Sequence, residues 1–276
     1  MPTLSESLTN PPLTEAAFVL RWALANVAEA IKYDIGLEEA VYKLRRSNLT
    51  RFPRFERRLP PGIGSPFTMN YAPLFRLLPT GGTDYPRVEL GPGVFVVRQA
   101  GKPYAFKSFV ELVAEQVTRL TEAYQDLAED DFALEPQELS FAQYNRIDLA
   151  EWDEYHGHAV GTTLASAFVA ETLDNKVNSP VDRLSAARLY RQSLSRTYDL
   201  GEDVGLFTLE IRDVSEARER QVVEWDQSVT LRVPEGRSFG TAFALDWLRR
   251  AHEHTHAAAE LLLADPTLRN YIDRDR

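Results

Sequence analysis

The chain contains no cysteine, which excludes disulfides, thiolate catalysis and any zinc site built on cysteine. No apolar run approaches the ~20 residues that cross a bilayer as a helix, so no membrane partner is expected. The opening Met1-Pro2-Thr3-Leu4-Ser5-Glu6 has neither a basic n-region nor an apolar core, and a signal peptide is not expected there. Neither a G-x-S-x-G elbow nor a Walker lysine occurs. Positive charge is in the minority: 31 Lys and Arg stand against 41 Asp and Glu, a net charge of −10. A phosphate polyanion would be repelled on average, which argues against wholesale nucleic-acid binding. Together these absences make a cytoplasmic address the simplest expectation.

What is present is an ordinary globular composition in 276 residues, 44% of them hydrophobic, enough for one large domain or two modest ones. The stretch from Val88 to Leu149 reads strand, turn, long helix, strand. Ser108 with Glu111 has the spacing of a capping box. Phe109, Val113, Val117, Leu120, Tyr124 and Leu127 then form one apolar helical stripe. Leu139, Phe141, Ile147 and Leu149 alternate with polar neighbours, as a half-buried strand does. Gln143 and Asn145 share the apolar face, so two buried amides are expected, and buried amides need partners.

Towards the N-terminus, Ala16, Phe18, Leu20 and Trp22 alternate as a first strand. Ala25 to Arg46 suits one or two helices, broken at Gly36. Phe67 to Leu78 and Arg87 to Gln99 read as strands joined by the Thr80–Asp84 turn, with Gly91-Pro92-Gly93 a bulge or tight turn. In the second half, Ala187 to Asp199, Phe207 to Ile211 and Val223 to Val233 read as strands. A helix capped by Ser238 closes the chain, ending near Ala264. The expected fold is therefore α+β: two similar lobes, residues 1–150 and 151–276, each an antiparallel sheet with a long helix packed on it.

Two motifs invite a functional reading. From Lys43 to Arg58 the charge balance inverts, and Arg45, Arg46, Arg51, Arg54, Arg57 and Arg58 are interleaved with Phe52 and Phe55. Arginine with aromatics suits a single-stranded nucleic-acid platform, and equally a protein-interface rim. These six arginines are the candidate binding residues. The other motif is His252-Glu253-His254-Thr255-His256, which formally satisfies H-E-x-x-H. In zinc peptidases that spacing sets two imidazoles on one helical face with the Glu as general base. A third ligand is needed; Glu260 is awkwardly placed for it, and His156 or His158 would have to approach through space. By helical phase His252 and His256 lie on the stripe of Leu245, Leu248, Ala259 and Leu263. A core-facing imidazole is the plainer reading, so no catalytic residue, metal ligand or cofactor is assigned.

Pro11-Pro12-Leu13-Thr14-Glu15-Ala16-Ala17-Phe18-Val19-Leu20-Arg21-Trp22, Tyr104-Ala105-Phe106 before a helix, Asn145-Arg146-Ile147 closing a strand, and Leu248 to His252 on the last helix with Asp265-Pro266-Thr267 after it form a recurring set. With it the chain resembles a sporadically distributed, functionally uncharacterised family of bacterial proteins of about this length. The family strand carries an Arg-Tyr pair where this chain has Ala142-Gln143 before Tyr144-Asn145. Of the histidines on that last helix, only His252 looks like a family feature. The patchy distribution implies mobile genes, with bacterial defence or CRISPR-associated operons as a setting. The expectation is a non-catalytic binding or regulatory subunit that contacts a protein of its own operon. Its alternatives are a zinc-dependent hydrolase on His252, Glu253 and His256, and a nucleic-acid-binding accessory protein using Lys43–Arg58.

Overall fold

The computed structural model describes residues 12–28, 31–34, 36–58, 69–101, 104–125, 134–148, 193–213, 222–234 and 239–262. Nine strands form one antiparallel sheet: β1 (Leu13–Trp22), β4 (Arg54–Arg57), β5 (Phe75–Leu78), β6 (Arg87–Gly91), β7 (Val94–Ala100), β8 (Pro136–Asp148), β9 (Ser193–Asp199), β10 (Leu206–Asp213) and β11 (Val222–Arg232). Their spatial order is β4-β5-β6-β7-β1-β8-β11-β10-β9. β2 (Ala25–Ala28) and β3 (Ile31–Tyr33) make a separate hairpin. Among the described residues the helices are α1 (Leu37–Ser47), α2 (Phe106–Gln125) and α3 (Thr241–Leu262).

Because side chains alternate across a strand, one register row lies wholly on one face. Here a single row runs Phe55, Leu77, Val88, Val97, Phe18, Phe141, Val229, Phe207, Tyr198 across all nine strands. Phe18 and Phe141 at its centre are fully buried. The helices cover this face. Phe106 and Phe109 of α2 meet the Phe141 ring at 6.2 and 5.9 Å, and Trp247 of α3 meets Phe18 at 6.4 Å. α2 and α3 run antiparallel: Thr118 and Thr241 share a hydroxyl contact of 2.9 Å, while Phe106 stacks on His252. α1 lies over β4–β6, where Val41, Leu44, Phe55 and Phe75 help enclose a void of about 10 Å³.

The opposite face carries hydrogen-bonding and charged rows. Thr230 donates to Ser140 at 3.2 Å, and Arg146 pairs with Glu224 at 3.1 Å. Over β1, β6 and β7 it bears a dense cluster. Glu89 is almost fully buried among Arg76, Arg87 and Arg98, and Glu15 takes further bonds from Arg87, Arg98 and the Tyr85 hydroxyl. Burial opposes the Arg98 charge, but the two carboxylates outweigh it and raise its pKa.

The α+β class stands, and strands from both sides of the expected division pair into one sheet through β8 and β11. The division itself, at residues 150 and 151, falls outside the described residues. Several local expectations need correction. Ala25 to Tyr33 is a β-hairpin, so helix begins only after Gly36. The long helix opens at Phe106, whose ring stacks on His252 and meets Phe141; Ser108 thus lies inside the first turn and not at the position before it. Phe75, not Phe67, starts β5, and Met69 to Leu74 is irregular. Arg87 to Gln99 is two strands joined at Pro92 and Gly93, as the tight-turn reading of Gly91-Pro92-Gly93 requires. Gly93 sits at φ +70, and a side chain there would collide with Tyr71 and Leu24. Ser238, Leu263 and Ala264 lie outside the described residues, as do residues 187–192.

No helix among the described residues is long and apolar enough to cross a membrane.

Candidate functional site

The arginine-rich segment begins on α1, whose Leu37, Ala40 and Leu44 turn inward and leave Arg45 and Arg46 at the C-terminus. Cations there are favoured by the exposed carbonyl ends of the helix. Asn48, fully buried, ends the helix. Its side-chain amide donates to the Leu44 carbonyl at 3.0 Å, and its own carbonyl accepts from the Arg51 and Phe52 amides. That turn buries Phe52 and aims the chain into β4. From α2, Arg119 donates to the Ser47 carbonyl and to the Asn48 side-chain oxygen. Asn48 and Arg119 were not singled out from sequence; an Asn just past a helix end was the available signal.

The six candidate arginines divide into two sets. Arg51 donates to Glu115 of α2, and Arg54 donates to the Thr83 carbonyl at 3.2 Å and lies 3.5 Å from Glu56. These two are tied into the fold. Arg45 lies over the Phe55 ring at 4.8 Å and Arg57 over the Phe75 ring at 5.9 Å. The two rings stack on each other at 6.0 Å, so Arg45 and Arg57 flank one aromatic pair. Arg45, Arg46, Arg57 and Arg58 have no carboxylate partner among the described residues.

Among the described strands, β4 is at the edge of the sheet. Its Arg58 amide donates to the Leu74 carbonyl at 2.7 Å. In an antiparallel ladder, hydrogen-bonded pairs alternate with non-bonded ones. Glu56, opposite Arg76, therefore also bonds inward, and the backbone groups of Phe55 and Arg57 point away from β5, to a side where no described strand pairs with them. At the C-terminal end of β4 a groove of about 650 Å³ opens, lined by Glu56, Arg57, Arg58, Met69, Pro73 and Leu74 among others.

The H-E-x-x-H element lies elsewhere, on α3 against α2. The His252 ring stacks on Phe106 at 3.5 Å, meets Phe141 edge-on at 6.1 Å and stacks on His256 at 5.7 Å. His256 lies 3.2 Å from Glu260, while Glu253 is exposed. Among the described residues no group of three or more His, Asp or Glu is placed to hold a metal ion. His156 and His158 lie outside the described residues. His252 thus occupies the core-facing stripe that helical phase indicated, as a packing element between α2 and the sheet.

Beside it lie the expected amides. Gln143 and Asn145 are buried, with Gln227 and Trp225 directly opposite on β11. Asn145 donates to the Trp225 carbonyl at 3.3 Å. Tyr104 faces Gln143, and burial pushes its hydroxyl pKa far up. A further buried acid is Asp34, which accepts from the Gly93 amide at 3.0 Å and from the Tyr124 hydroxyl at 3.2 Å. Burial raises its pKa, and these hydrogen bonds oppose the rise.

No family model matches the chain, and no curated protein matches it. Among solved structures, it aligns with the crystal structure of the di-domain ARO/CYC BexL from the BE-7585A biosynthetic pathway. That alignment covers 95% of this chain and 99% of the other at 14% identity, with a TM-score of 0.25. A likeness of that size carries no argument about fold or function.

Proposed function

We propose that this chain is a binding or regulatory protein, without catalysis of its own, that acts by contact with another protein through its arginine-bearing sheet edge. The observation that carries the reading is the set Arg45, Arg46, Arg57 and Arg58. These cations lack carboxylate partners among the described residues, in a chain whose acidic residues outnumber its basic ones. Uncompensated arginines on a surface rich in carboxylates are suited to recognition, since the guanidinium pairs bidentately with carboxylate or phosphate and stacks on aromatics. A protein of the same operon is the proposed partner.

The test is co-purification with the products of adjacent genes, using the native chain and a variant with Arg45, Arg46, Arg57 and Arg58 all changed to Gln. Loss of the partner with an unchanged melting temperature is the expected result. Undiminished recovery by the variant refutes the reading. Salt dependence separates partner classes. A duplex would give a log–log slope near −0.9 per neutralised phosphate, whereas a protein contact changes mainly its association rate.

The two-lobe expectation enters this proposal as a repeat. Outward from the central β1–β8 pair, one side runs β7, β6, β5, β4 and the other β11, β10, β9. The inward positions of α2, Phe109, Leu112, Val113, Leu120 and Ala123, match in spacing Ala244, Trp247, Leu248, Thr255 and Ala258 of α3. In that arrangement β4 has no counterpart among the described strands, so the arginine-bearing edge is an addition to one half.

A further inference from the structure

We infer that β4 receives an extended segment of the partner as an added strand, and that the segment alternates acidic with uncharged residues. This rests on the reading above, that the edge is a contact surface, and specifies what it contacts. The backbone supplies the first argument. Phe55 and Arg57 present N–H and C=O groups along an edge that is unpaired among the described residues, and an edge strand with unpaired groups is a template for another strand.

The two faces of that strand supply the second. Beside Phe55 and Arg57, an added strand would place every other side chain on the helix-covered side, next to Arg45 and Arg57. Neither guanidinium has a carboxylate among the described residues, so acidic side chains fit there. On the other side stand Arg54, already bonded to the Thr83 carbonyl, and the half-exposed Glu56. An acid at those positions would meet Glu56 as a like charge directly across the strands, which is unfavourable. The edge thus selects an alternating pattern over a run of acids.

The groove supplies the third. It opens where β4 ends, its floor of Met69, Ala72, Pro73 and Leu74 is apolar, and its rim carries Arg57 and Arg58. A segment that runs along β4 would seat an apolar side chain there, with a further acid reaching Arg58. An aliphatic residue is therefore expected at the end of the segment beside the groove.

The probe is a fluorescein-labelled peptide of about ten residues alternating Glu with Val, long enough at ~3.3 Å per residue to span β4 and the groove. Its controls are a block peptide of the same composition and two N-methylated versions, each methylated on alternate residues so that only one row of backbone N–H groups is removed. Anisotropy with the full chain should show the alternating peptide binding at least about tenfold more tightly than the block peptide. Of the two N-methylated versions, one should lose about tenfold and the other little, since a strand offers only one row to β4. Arg45→Gln with Arg57→Gln should weaken binding without moving the melting temperature.

If the native chain binds neither peptide, or both N-methylated versions bind as the parent does, strand addition is overturned. In the latter case a retained dependence on Arg45 and Arg57 leaves the contact surface itself standing. If the four-fold arginine variant also keeps its operon partner, the contact surface falls as well. Binding of oligo(dT), with no binding of the alternating peptide, overturns the inference in favour of nucleic acid.

Discussion

Removing the Glu89 carboxylate is the most demanding perturbation the fold offers. Glu89 lies at mid-strand in β6 with 1% of its side chain exposed, and three guanidinium groups converge on it. Arg98 Nε is 2.9 Å away, Arg87 Nε 3.3 Å, and Arg76 approaches the same carboxylate. Glu89→Gln keeps the volume but replaces one acceptor oxygen with an amide nitrogen that faces donors. Breaking a buried pair by removing one partner costs about 3–5 kcal/mol, because the opposite charge stays behind uncompensated. Two features place this case at the low end. Glu15 still pairs with Arg87 and Arg98, and the arginine side chains keep 14–22% exposure. The expected loss is therefore about 3 kcal/mol. At roughly 2–4 °C per kcal/mol for a chain of this size, the melting point should fall by roughly 6–12 °C.

Urea unfolding followed by tryptophan emission is the assay, since Trp22, Trp225 and Trp247 are all buried and should redden on exposure. Asp226→Asn is the comparison. Its partner Arg212 is 44% exposed, and such pairs contribute at most about 1 kcal/mol. A Glu89→Gln loss no larger than that of Asp226→Asn would refute the reasoning. It would mean that solvent, and not Glu89, satisfies the three arginines.

Asn48→Ala removes the bonds to the Leu44 carbonyl and from Arg119 in a fully buried setting, and should cost about 2 kcal/mol by the same urea assay. Arg46→Gln, two residues earlier and exposed, should stay within about 0.5 kcal/mol. Asp34 has its folded pKa raised from 3.8 by burial, so the folded state binds the proton more tightly than the unfolded chain. Its contribution is then fully present below pH 3.8 and is lost as pH rises through the folded value. Stability–pH curves should show Asp34→Asn gaining on the native chain across that window; a constant gap would refute the shift. His252→Ala should cost about 1 kcal/mol or more through the lost stacking on Phe106. If the ring serves only to pack against Phe106, added zinc should raise the melting temperature of neither protein; a rise for the native chain alone would refute that reading.

Elements whose alternation is decided locally were legible from sequence. Phe18 lies between Ala16 and Leu20 and Phe141 follows Leu139 at alternate positions, and both fall on the buried row. The stripe from Phe109 to Tyr124 likewise announced which side of α2 meets the sheet. What sequence could not convey was decided by distant partners. Ser108 has the local chemistry of a cap, yet the helix starts two residues sooner, at Phe106, whose ring stacks on His252 far along the chain. Ala25 to Tyr33 is rich enough in alanine to read as helix, and only the β2–β3 pairing decides otherwise.

The same distinction applies to the arginines. Composition located the segment, because seven cations between Lys43 and Arg58 stand out in an acidic chain. Composition weights all of them equally. Glu115 on α2 and the Thr83 carbonyl in the β5–β6 turn engage Arg51 and Arg54, and neither partner lies within the segment. Whether β4 is an edge or an interior strand is likewise a property of the sheet order. An interior β4 would have both rows of backbone groups paired and could offer a partner only its side chains. At the edge, among the described residues, the row at Phe55 and Arg57 is open just where two cations lack carboxylates. Backbone and charge therefore point a partner to the same strand in the same register, which neither the charge run nor the fold class conveys separately.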